Sequence, residues 1–189
     1  LVFSSHFESF LAKRESFGAA TVRAGNVIGG GDWAEDRIIP DCIRSLSNSL
    51  PIVLRFPNAT RPWQHVLEPL SGYIQMADFL LRSPAKFNGA WNFGPAESDQ
   101  YSVLDVAKKT VEVWGSGEIR VDQAPPQMHE AGLLHLNCEK ANSEMNWFPK
   151  WNFEQTLTNT VSWYRRAHDG NQIRELSESQ IKKYMEKST

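Results

Sequence analysis

The sequence predicts an α/β fold that is richer in helix than in strand. Residues 19–24 form a short, mainly apolar run that is typical of a buried strand. A glycine-rich stretch follows at 25–31, and much of the remaining chain shows apolar residues at helical spacing. A doubly wound sheet needs several parallel strands in its middle, whereas this chain offers one such strand and several short extended pieces. We therefore expect the C-terminal part of a larger α/β enzyme.

The composition excludes several classes of protein. The chain has 189 residues, of which 41% are hydrophobic, so it can bury a core and is not a disordered segment. Its 20 basic and 22 acidic residues leave a net charge of -2, which disfavours a nucleic-acid partner. No apolar run is long enough for a membrane span, so we expect no membrane partner. The two cysteines, Cys42 and Cys138, are typical of a cytoplasmic protein with reduced thiols.

The first half of the chain should alternate helices with short strands. Apolar residues at 2, 3, 7, 10 and 11 have helical spacing, and this helix should end near Arg14. No capping residue precedes it and Leu1 is not a start methionine, so we expect the chain to come from a longer protein. The next predicted elements are a strand at 19–24, a helix at 38–47, and extended pieces at 51–55 and 62–66.

A long amphipathic helix is predicted at 68–82. We expect its apolar face to be buried, and that face carries Leu70, Tyr73, Ile74, Ala77, Leu80 and Leu81. A strand at 90–93 follows the turn signal Asn88-Gly89. Ser102 and Asp105 form a capping-box pattern at the start of a helix that should run to Trp114. The last predicted elements are a strand at 118–121, helices at 138–146 and 153–166, and a charged tail from 169 that could form a loose helix.

The glycine-rich stretch does not fit a dinucleotide-binding fingerprint. That fingerprint needs G-x-G-x-x-G directly between a strand and a helix, but the spacing here is G-x-x-x-G-G-G and the next helix begins only after Arg37. The stretch is either a flexible loop or a loop that lines a ligand, because ligands bind outside the carboxyl ends of parallel strands. In the second case the Asn26 amide, which both donates and accepts hydrogen bonds, suits a sugar hydroxyl or a phosphate.

Arg55 and Arg61 flank a proline-containing turn and are the second candidate for a binding site. Two guanidinium groups on facing edges of a turn could clamp a diphosphate, because their planar forks match phosphate oxygens, and one of them could instead stack on a base. The alternative is a pair of surface arginines in a hairpin. His129 and Glu130 lie in a predicted loop, where functional side chains often occur. The histidines show no metal-ligand spacing, so we expect no metal.

Two long segments carry a resemblance to a known family. Residues 23–41 read RAGNVIGGGDWAEDRIIPD, and residues 61–73 read RPWQHVLEPLSGY. Together with the segments 92–95 and 129–132 and the late helix around Lys140, they resemble the CDP-glucose 4,6-dehydratases, a family of extended short-chain dehydrogenase/reductases. The resemblance covers about residues 1–168.

The resemblance implies an architecture and a chemistry. A Rossmann half would bind NAD, and a smaller mixed α/β half would bind the nucleotide sugar CDP-glucose. Residues 1–36 would end the Rossmann domain, residues 37–168 would form mainly the substrate domain with returning Rossmann elements, and residues 169–189 would form a C-terminal tail. NAD would take a hydride from sugar C4, water would leave across C5 and C6, and the hydride would return to C6. The product would serve lipopolysaccharide O-antigen synthesis, and the intact enzyme would be a homo-oligomer.

The resemblance also assigns binding roles to individual positions. Ala24 and Val27 would line the nicotinamide of the cofactor. The substrate-binding positions would be Asn26, Arg37, Ile38, Arg55, Arg61 and His129. Among these, Asn26 and Arg61 would meet the sugar diphosphate, and Arg55 would stack on the cytosine base. Arg37 and Ile38 would grip the nucleotide, and His129 falls near a second phosphate-binding arginine of the family.

The family's catalytic residues have no counterpart in this sequence. Neither the glycine fingerprint for NAD nor a Tyr-x-x-x-Lys pair, which supplies the catalytic base, is present. We therefore assign no catalytic residue and predict that the chain is inactive alone. Two alternatives remain open. One is another nucleotide-sugar dehydratase or epimerase, which would prefer a different base. The other is a non-catalytic module that binds a nucleotide sugar without NAD.

Overall fold

The computed structural model describes residues 2–14, 16–96, 100–122 and 135–186. Within them the helices are α1 (Val2–His6), α2 (Ile38–Ser47), α3 (Leu67–Arg82), α4 (Val103–Trp114), α5 (Glu139–Met145), α6 (Phe153–His168) and α7 (Ile173–Glu186). A π-helical turn at Phe7–Leu11 continues α1, and a 3-10 turn at Pro84–Lys86 follows α3. Helix α2 has the predicted bounds, and the other predicted helices differ from the observed ones mainly at their ends.

Short strands pair two by two in the middle of the fold. The parallel pairs are β1 (Ala20–Ala24) with β6 (Gly89–Phe93), β2 (Asn26–Ile28) with β5 (Trp63–His65), and β3 (Ile52–Leu54) with β8 (Ile119–Val121). The antiparallel pair is β4 (Thr60–Arg61) with β7 (Tyr101–Ser102). Parallel strands joined through helices confirm the predicted α/β class.

Two strand predictions differ from the structure. The strand at 19–24 is predicted to be buried, but Val22 and Arg23 of β1 are exposed. Within the described chain β1 pairs with β6 alone, so one of its edges has no neighbouring strand. Residues 26–28 are predicted to lie in a loop, yet they form β2 because their backbone pairs with β5. A pairing of this kind depends on tertiary context and leaves no clear side-chain pattern in so short a segment.

The main core lies where α6 meets α2 and α4. Its buried members include Ile39, Ile43, Val106, Phe153, Leu157, Val161, Trp163 and Tyr164. Helix α4 begins with the predicted capping box, in which Ser102 accepts a hydrogen bond from the backbone of Asp105 and the Asp105 side chain accepts one from the backbone of Ser102. A second cluster, around Met76, Trp91, Phe93 and Trp147, joins α3 to β6. A third cluster packs Ile52 and Leu54 of β3 against Cys42 and Leu46 of α2.

The buried face of α3 differs from the predicted one. Four residues of the predicted core face are instead exposed: Ala77, and the larger Leu70, Ile74 and Leu81, which are 44%, 72% and 84% exposed. Glu68 and Gly72 are buried in their place. Gly72 contacts the Phe93 ring so closely that a Cβ atom would lie 2.3 Å from ring atom Cδ1. Apolar spacing therefore identified this helix but not the side that faces the core, because a small glycine allows the closest approach.

The C-terminal helix α7 is packed rather than loose. Leu176 and Tyr184 are 3% and 5% exposed. The Gln180 side-chain amide donates a 2.6 Å hydrogen bond to the backbone carbonyl of Asn159 in α6. Burial of two large side chains outweighs the charged composition that suggested a loose tail.

Candidate functional site

A cleft of about 790 Å³ lies between β2, the N-terminal end of α2 and the residues that follow β3. Its lining includes six positions assigned to binding from the sequence, namely Asn26, Val27, Arg37, Ile38, Arg55 and Arg61. Ala24 is not among the lining residues; it ends β1, in register with Phe93 of β6. His129 lies outside the described residues. The fold thus gathers into one cleft most of the positions that the sequence assigns.

The pairing of β2 with β5 positions Asn26. The backbone N–H of Asn26 donates a 2.9 Å hydrogen bond to the carbonyl of Pro62, and Asn26 is in register with Trp63. Glycine is required just before it, because a Cβ atom on Gly25 would lie 2.4 Å from the Pro62 carbonyl oxygen. The Asn26 side chain is therefore presented at the cleft by two strands rather than by a flexible loop.

Arg61 forms part of the cleft wall and is only 9% exposed. Its Nη1 donates a 2.8 Å hydrogen bond to the backbone carbonyl of Thr60. The strand that carries it is held by β7, and the indole of neighbouring Trp63 donates a 3.0 Å hydrogen bond to the carbonyl of Tyr101. A buried guanidinium beside a cleft interacts strongly with an anion, because little water is present to screen its charge.

Three arginines hold the segment that forms the cleft rim, residues 32–36. Arg37 pairs with Asp32 at 3.4 Å, and Arg55 pairs with Asp36 at 2.9 Å. Arg44 donates hydrogen bonds of 2.9 and 3.1 Å to the backbone carbonyls of residues 33 and 34. These contacts fix the rim segment against α2 and the end of β3.

Helix α6 packs against the glycine-rich loop. Gly30 lies directly on the indole of Trp163, where a Cβ atom would come within 2.1 Å of ring atom Cδ2. The Tyr164 hydroxyl donates a 2.6 Å hydrogen bond to the backbone carbonyl of Asp32, and burial raises the pKa of Tyr164 to about 12. The ring of Trp33 packs edge-on against Tyr164. From the sequence this loop is either flexible or ligand-lining. The structure shows that it is anchored to α6 and that it borders the cleft.

The cleft has the chemistry of an anion site. It is lined by the cations Arg37, Arg44, Arg55 and Arg61 and by the anions Asp32, Asp36 and Asp41. The three carboxylates pair with Arg37, Arg44 and Arg55. Arg61 lies in the wall of the cleft. The N-terminus of α2 also reaches the cleft and has no side-chain cap, so its first N–H groups suit a phosphate. No group of three possible metal ligands occurs among the described residues.

Sequence reasoning missed a buried polar cluster next to the cleft strands. Glu68 is fully buried and accepts hydrogen bonds from the backbone N–H groups of Lys150 and Trp151, at 3.0 and 2.8 Å. The Tyr184 hydroxyl donates a third bond, of 2.7 Å, to the same carboxylate. Burial raises the pKa of the Glu68 carboxyl, and these hydrogen bonds oppose that rise. An acidic residue at a helix start is ordinarily exposed, so nothing in the sequence marked it.

His65 is the second buried titratable group in this region. Its Nδ1 accepts a 3.3 Å hydrogen bond from the backbone N–H of Leu67, and its ring packs edge-on against Trp151. Burial lowers the pKa of His65 to about 4. Neither His65 nor Glu68 lines the cleft, so their contribution is to the packing behind it.

Comparison with known proteins identifies the chain's relatives. No family model matches the sequence. A curated CDP-glucose 4,6-dehydratase from Salmonella typhimurium is 42% identical to this chain over 186 residues, which is 98% of this chain and 52% of that protein. The chain is therefore similar to this enzyme over almost all of its own length. The resemblance predicted from residues 23–41 and 61–73 is thus confirmed, and the chain spans about half the length of the curated relative it matches.

Solved structures of nucleotide-sugar enzymes share the fold of this chain. A dTDP-glucose 4,6-dehydratase from Bacillus anthracis in complex with NAD is 19% identical and matches with a TM-score of 0.65, over 87% of this chain and 49% of that chain. A UDP-glucose 4-epimerase from Stenotrophomonas maltophila, with bound NAD and formylated UDP-arabinopyranose, is 15% identical. It matches with a TM-score of 0.71 over 90% of this chain and 54% of that chain. The predicted α/β fold is therefore confirmed, and it corresponds to about half of each of these two enzymes. A helix with the length and apolar character of a membrane span is absent from the described part of the chain.

Proposed function

We propose that the protein acts in the NAD-dependent dehydration of CDP-glucose to CDP-4-keto-6-deoxyglucose, and that the cleft holds the nucleotide. The 42% identity to a CDP-glucose 4,6-dehydratase over nearly the whole chain supports the reaction. The observation that carries the binding site is Arg61, a guanidinium buried in the wall of a cleft that also contains Asn26, Arg37 and Arg55. Such a set of donors matches a diphosphate better than a neutral ligand.

Five residues that line the cleft have a role in binding the substrate in this proposal. Arg61 binds the diphosphate, and Asn26 contacts the diphosphate where it joins the sugar. Arg37 and Ile38 bind the nucleotide at the start of α2, where helix N–H groups add to the attraction. Arg55 stacks on the cytosine, because a planar guanidinium covers the face of a base.

The residues present fit only one side of an NAD site. Val27 lines the cleft beside Asn26, and Ala24 ends the neighbouring strand, so both could form an apolar wall for the nicotinamide. When bound, NAD supplies the hydride acceptor and donor that the dehydration needs. The phosphate-binding glycine pattern and the Tyr-x-x-x-Lys pair are absent from these 189 residues. We therefore propose that this chain alone binds substrate but does not turn it over.

The remaining assignments follow from the same proposal. Residues 1–36 belong with the NAD-binding domain, residues 37–168 form mainly the substrate domain, and residues 169–189 form its C-terminal extension. We propose a cytoplasmic homo-oligomer in which His129 contributes to the phosphate site. The buried cysteine thiols, Cys42 and Cys138, support a reducing compartment. The product class, a 4-keto-6-deoxy nucleotide sugar, supports a place in O-antigen synthesis.

Calorimetric titration of the full chain with CDP, UDP and dTDP tests this function. We expect selective binding of CDP, and we expect Arg61→Ala to weaken it by about 1.5–3 kcal/mol, as for a hydrogen bond to a charged group. Arg120→Ala is the matched control, because Arg120 is an exposed arginine of β8 outside the cleft. Preference for UDP or dTDP would indicate a sister dehydratase or epimerase. A folded chain that binds none of the three would contradict the assignment of this cleft.

Catalysis is tested separately on the intact protein with its NAD-binding half. We expect conversion of CDP-glucose to a product lighter by one water, detected by mass spectrometry, with no net consumption of NAD. Tight binding of CDP-glucose without loss of water would favour the non-catalytic binding module instead.

A further inference from the structure

We propose that Asp36 determines the base specificity of the cleft, by holding Arg55 with one carboxylate oxygen and offering the other to the exocyclic amino group of cytosine. The inference rests on the proposed function, because it assumes that the cleft binds a nucleotide with Arg55 at the base. It adds a residue and a chemical reason for the choice between cytosine and uracil.

The contact between the two residues joins two separate segments of the cleft lining. Arg55 follows β3, and Asp36 lies 19 residues earlier in the rim segment before α2. Arg55 Nη2 donates a 2.9 Å hydrogen bond to Asp36 Oδ1. Both residues line the cleft, so the carboxylate lies beside the guanidinium that we assign to the base.

The backbone fixes the direction of the Asp36 side chain. Asp36 has a φ of 58°, in the left-handed region that aspartate tolerates better than most residues. The preceding residues are held by Arg44 through two carbonyls and by Tyr164 through the carbonyl of Asp32. A carboxylate on such a fixed segment is positioned before a ligand arrives, which is the condition for selective recognition.

Stability does not explain this ion pair. The side chains of Arg55 and Asp36 are 60% and 79% exposed, and exposed ion pairs contribute little to folding. The contact uses one nitrogen of the guanidinium and one oxygen of the carboxylate. Within the described residues no second hydrogen bond of either side chain is found, so the flat face of Arg55 and the second carboxylate oxygen of Asp36 are accessible to a ligand.

The chemistry of the bases makes the carboxylate selective. Cytosine carries an amino group at C4, which donates to a carboxylate, whereas uracil and thymine carry a carbonyl oxygen there. A carboxylate oxygen facing that carbonyl is repelled, so the same group favours cytosine and disfavours uracil. A site built to pair with a substrate N–H group rejects the analogue that lacks it.

Titration of Asp36 variants with CDP and UDP tests the inference. We expect Asp36→Ala to weaken CDP binding about ten-fold and to change UDP binding by less than about three-fold. Asp36→Asn should shift the preference further toward UDP, because its amide can donate to the carbonyl at C4. Arg55→Ala should weaken both nucleotides alike, since stacking does not depend on the C4 group. Asp78→Ala is the matched control, because Asp78 forms an exposed 2.9 Å pair with Arg82 on α3, outside the cleft.

The outcomes separate the inference from the proposed function. Equal losses for CDP and UDP in Asp36→Ala, in a variant with an unchanged circular dichroism spectrum, would overturn the specificity role while leaving nucleotide binding intact. Wild-type chain that binds both nucleotides equally would overturn it as well. Wild-type chain that is folded and binds neither would remove the proposed function and this inference together.

Discussion

The Tyr184 hydroxyl donates a 2.7 Å hydrogen bond to Oε2 of Glu68, although the two residues are 116 positions apart. The same carboxylate accepts the backbone N–H groups of Lys150 and Trp151. Helix α3, the segment before α6 and helix α7 are therefore joined at one fully buried group. A buried carboxylate is tolerated only where it is hydrogen-bonded in this way.

Glu68→Ala should destabilise the protein by about 3 kcal/mol, because it leaves two buried backbone donors without their acceptor and removes one of the two hydrogen bonds of the Tyr184 hydroxyl, which also contacts Ser71 Oγ at 3.1 Å. Urea denaturation followed by circular dichroism measures the change. Tyr184→Phe removes one of the three donors and should cost about 1 kcal/mol. Glu178→Ala, which breaks an exposed pair with Arg174 on α7, should cost less than about 1 kcal/mol. A loss in Glu68→Ala no larger than in this control would contradict the anchoring role.

The buried His65 should make the protein less stable in acid. Its pKa is lowered from 6.5 to about 4 in the folded state, so the unfolded chain binds the proton more readily. Stability is therefore retained above pH 6.5 and falls as the pH drops toward 4, by up to about 3 kcal/mol. Glu68 acts in the opposite direction, because its raised pKa makes its ionisation with rising pH unfavourable in the folded state.

Comparing the free energy of unfolding at pH 7 and pH 4 measures the contribution of His65 to the pH dependence of stability. His65→Gln should lose less stability over this range than the wild-type chain, whatever its stability at pH 7. Parallel pH profiles for His65→Gln and the wild-type chain would show that His65 is not the responsible group.

Tyr164→Phe should cost about 1 kcal/mol, because it removes the 2.6 Å hydrogen bond to the carbonyl of Asp32 and leaves the ring in place. Chemical denaturation again measures the loss. Tyr73→Phe is the matched control on α3, since no hydrogen bond of its hydroxyl is found within the described residues. We expect that control to stay within about 0.5 kcal/mol of the wild-type chain.

Gly30→Ala should destabilise the protein by about 1–3 kcal/mol, because its methyl group would overlap the buried indole of Trp163. Gly170 provides the comparison: it has a φ of 86° and open space around it, so alanine there meets backbone strain of about 1 kcal/mol but no clash. Thermal unfolding of both variants distinguishes the two costs. If Gly30→Ala is no worse than Gly170→Ala, the loop is free to move away from α6.

Local signals in the sequence predicted the helices well. The capping box of α4 lies within the four residues from Ser102 to Asp105, so its hydrogen bonds depend on neighbours that the sequence displays. Helix α2 was predicted with its bounds from the spacing of its apolar residues, although no side chain caps its first turn. The cleft could also be predicted in part, because the motif resemblance in residues 23–41 and 61–73 includes Asn26, Arg37 and Arg61, which all line it.

Only the tertiary structure decided which faces are buried and which polar groups act together. Leu70 and Ile74 have the spacing of a core face but are exposed, because Gly72 brings α3 against Phe93 on another side. The hydrogen bonds between Glu68 and Tyr184 and between Asp36 and Arg55 join residues far apart in the sequence, so no local sequence pattern predicts them. By itself the sequence determined the helices, the α/β class and the family resemblance, since these depend on short-range spacing and motifs. Burial and pairing depend on contacts between distant segments, so they were decided by the fold.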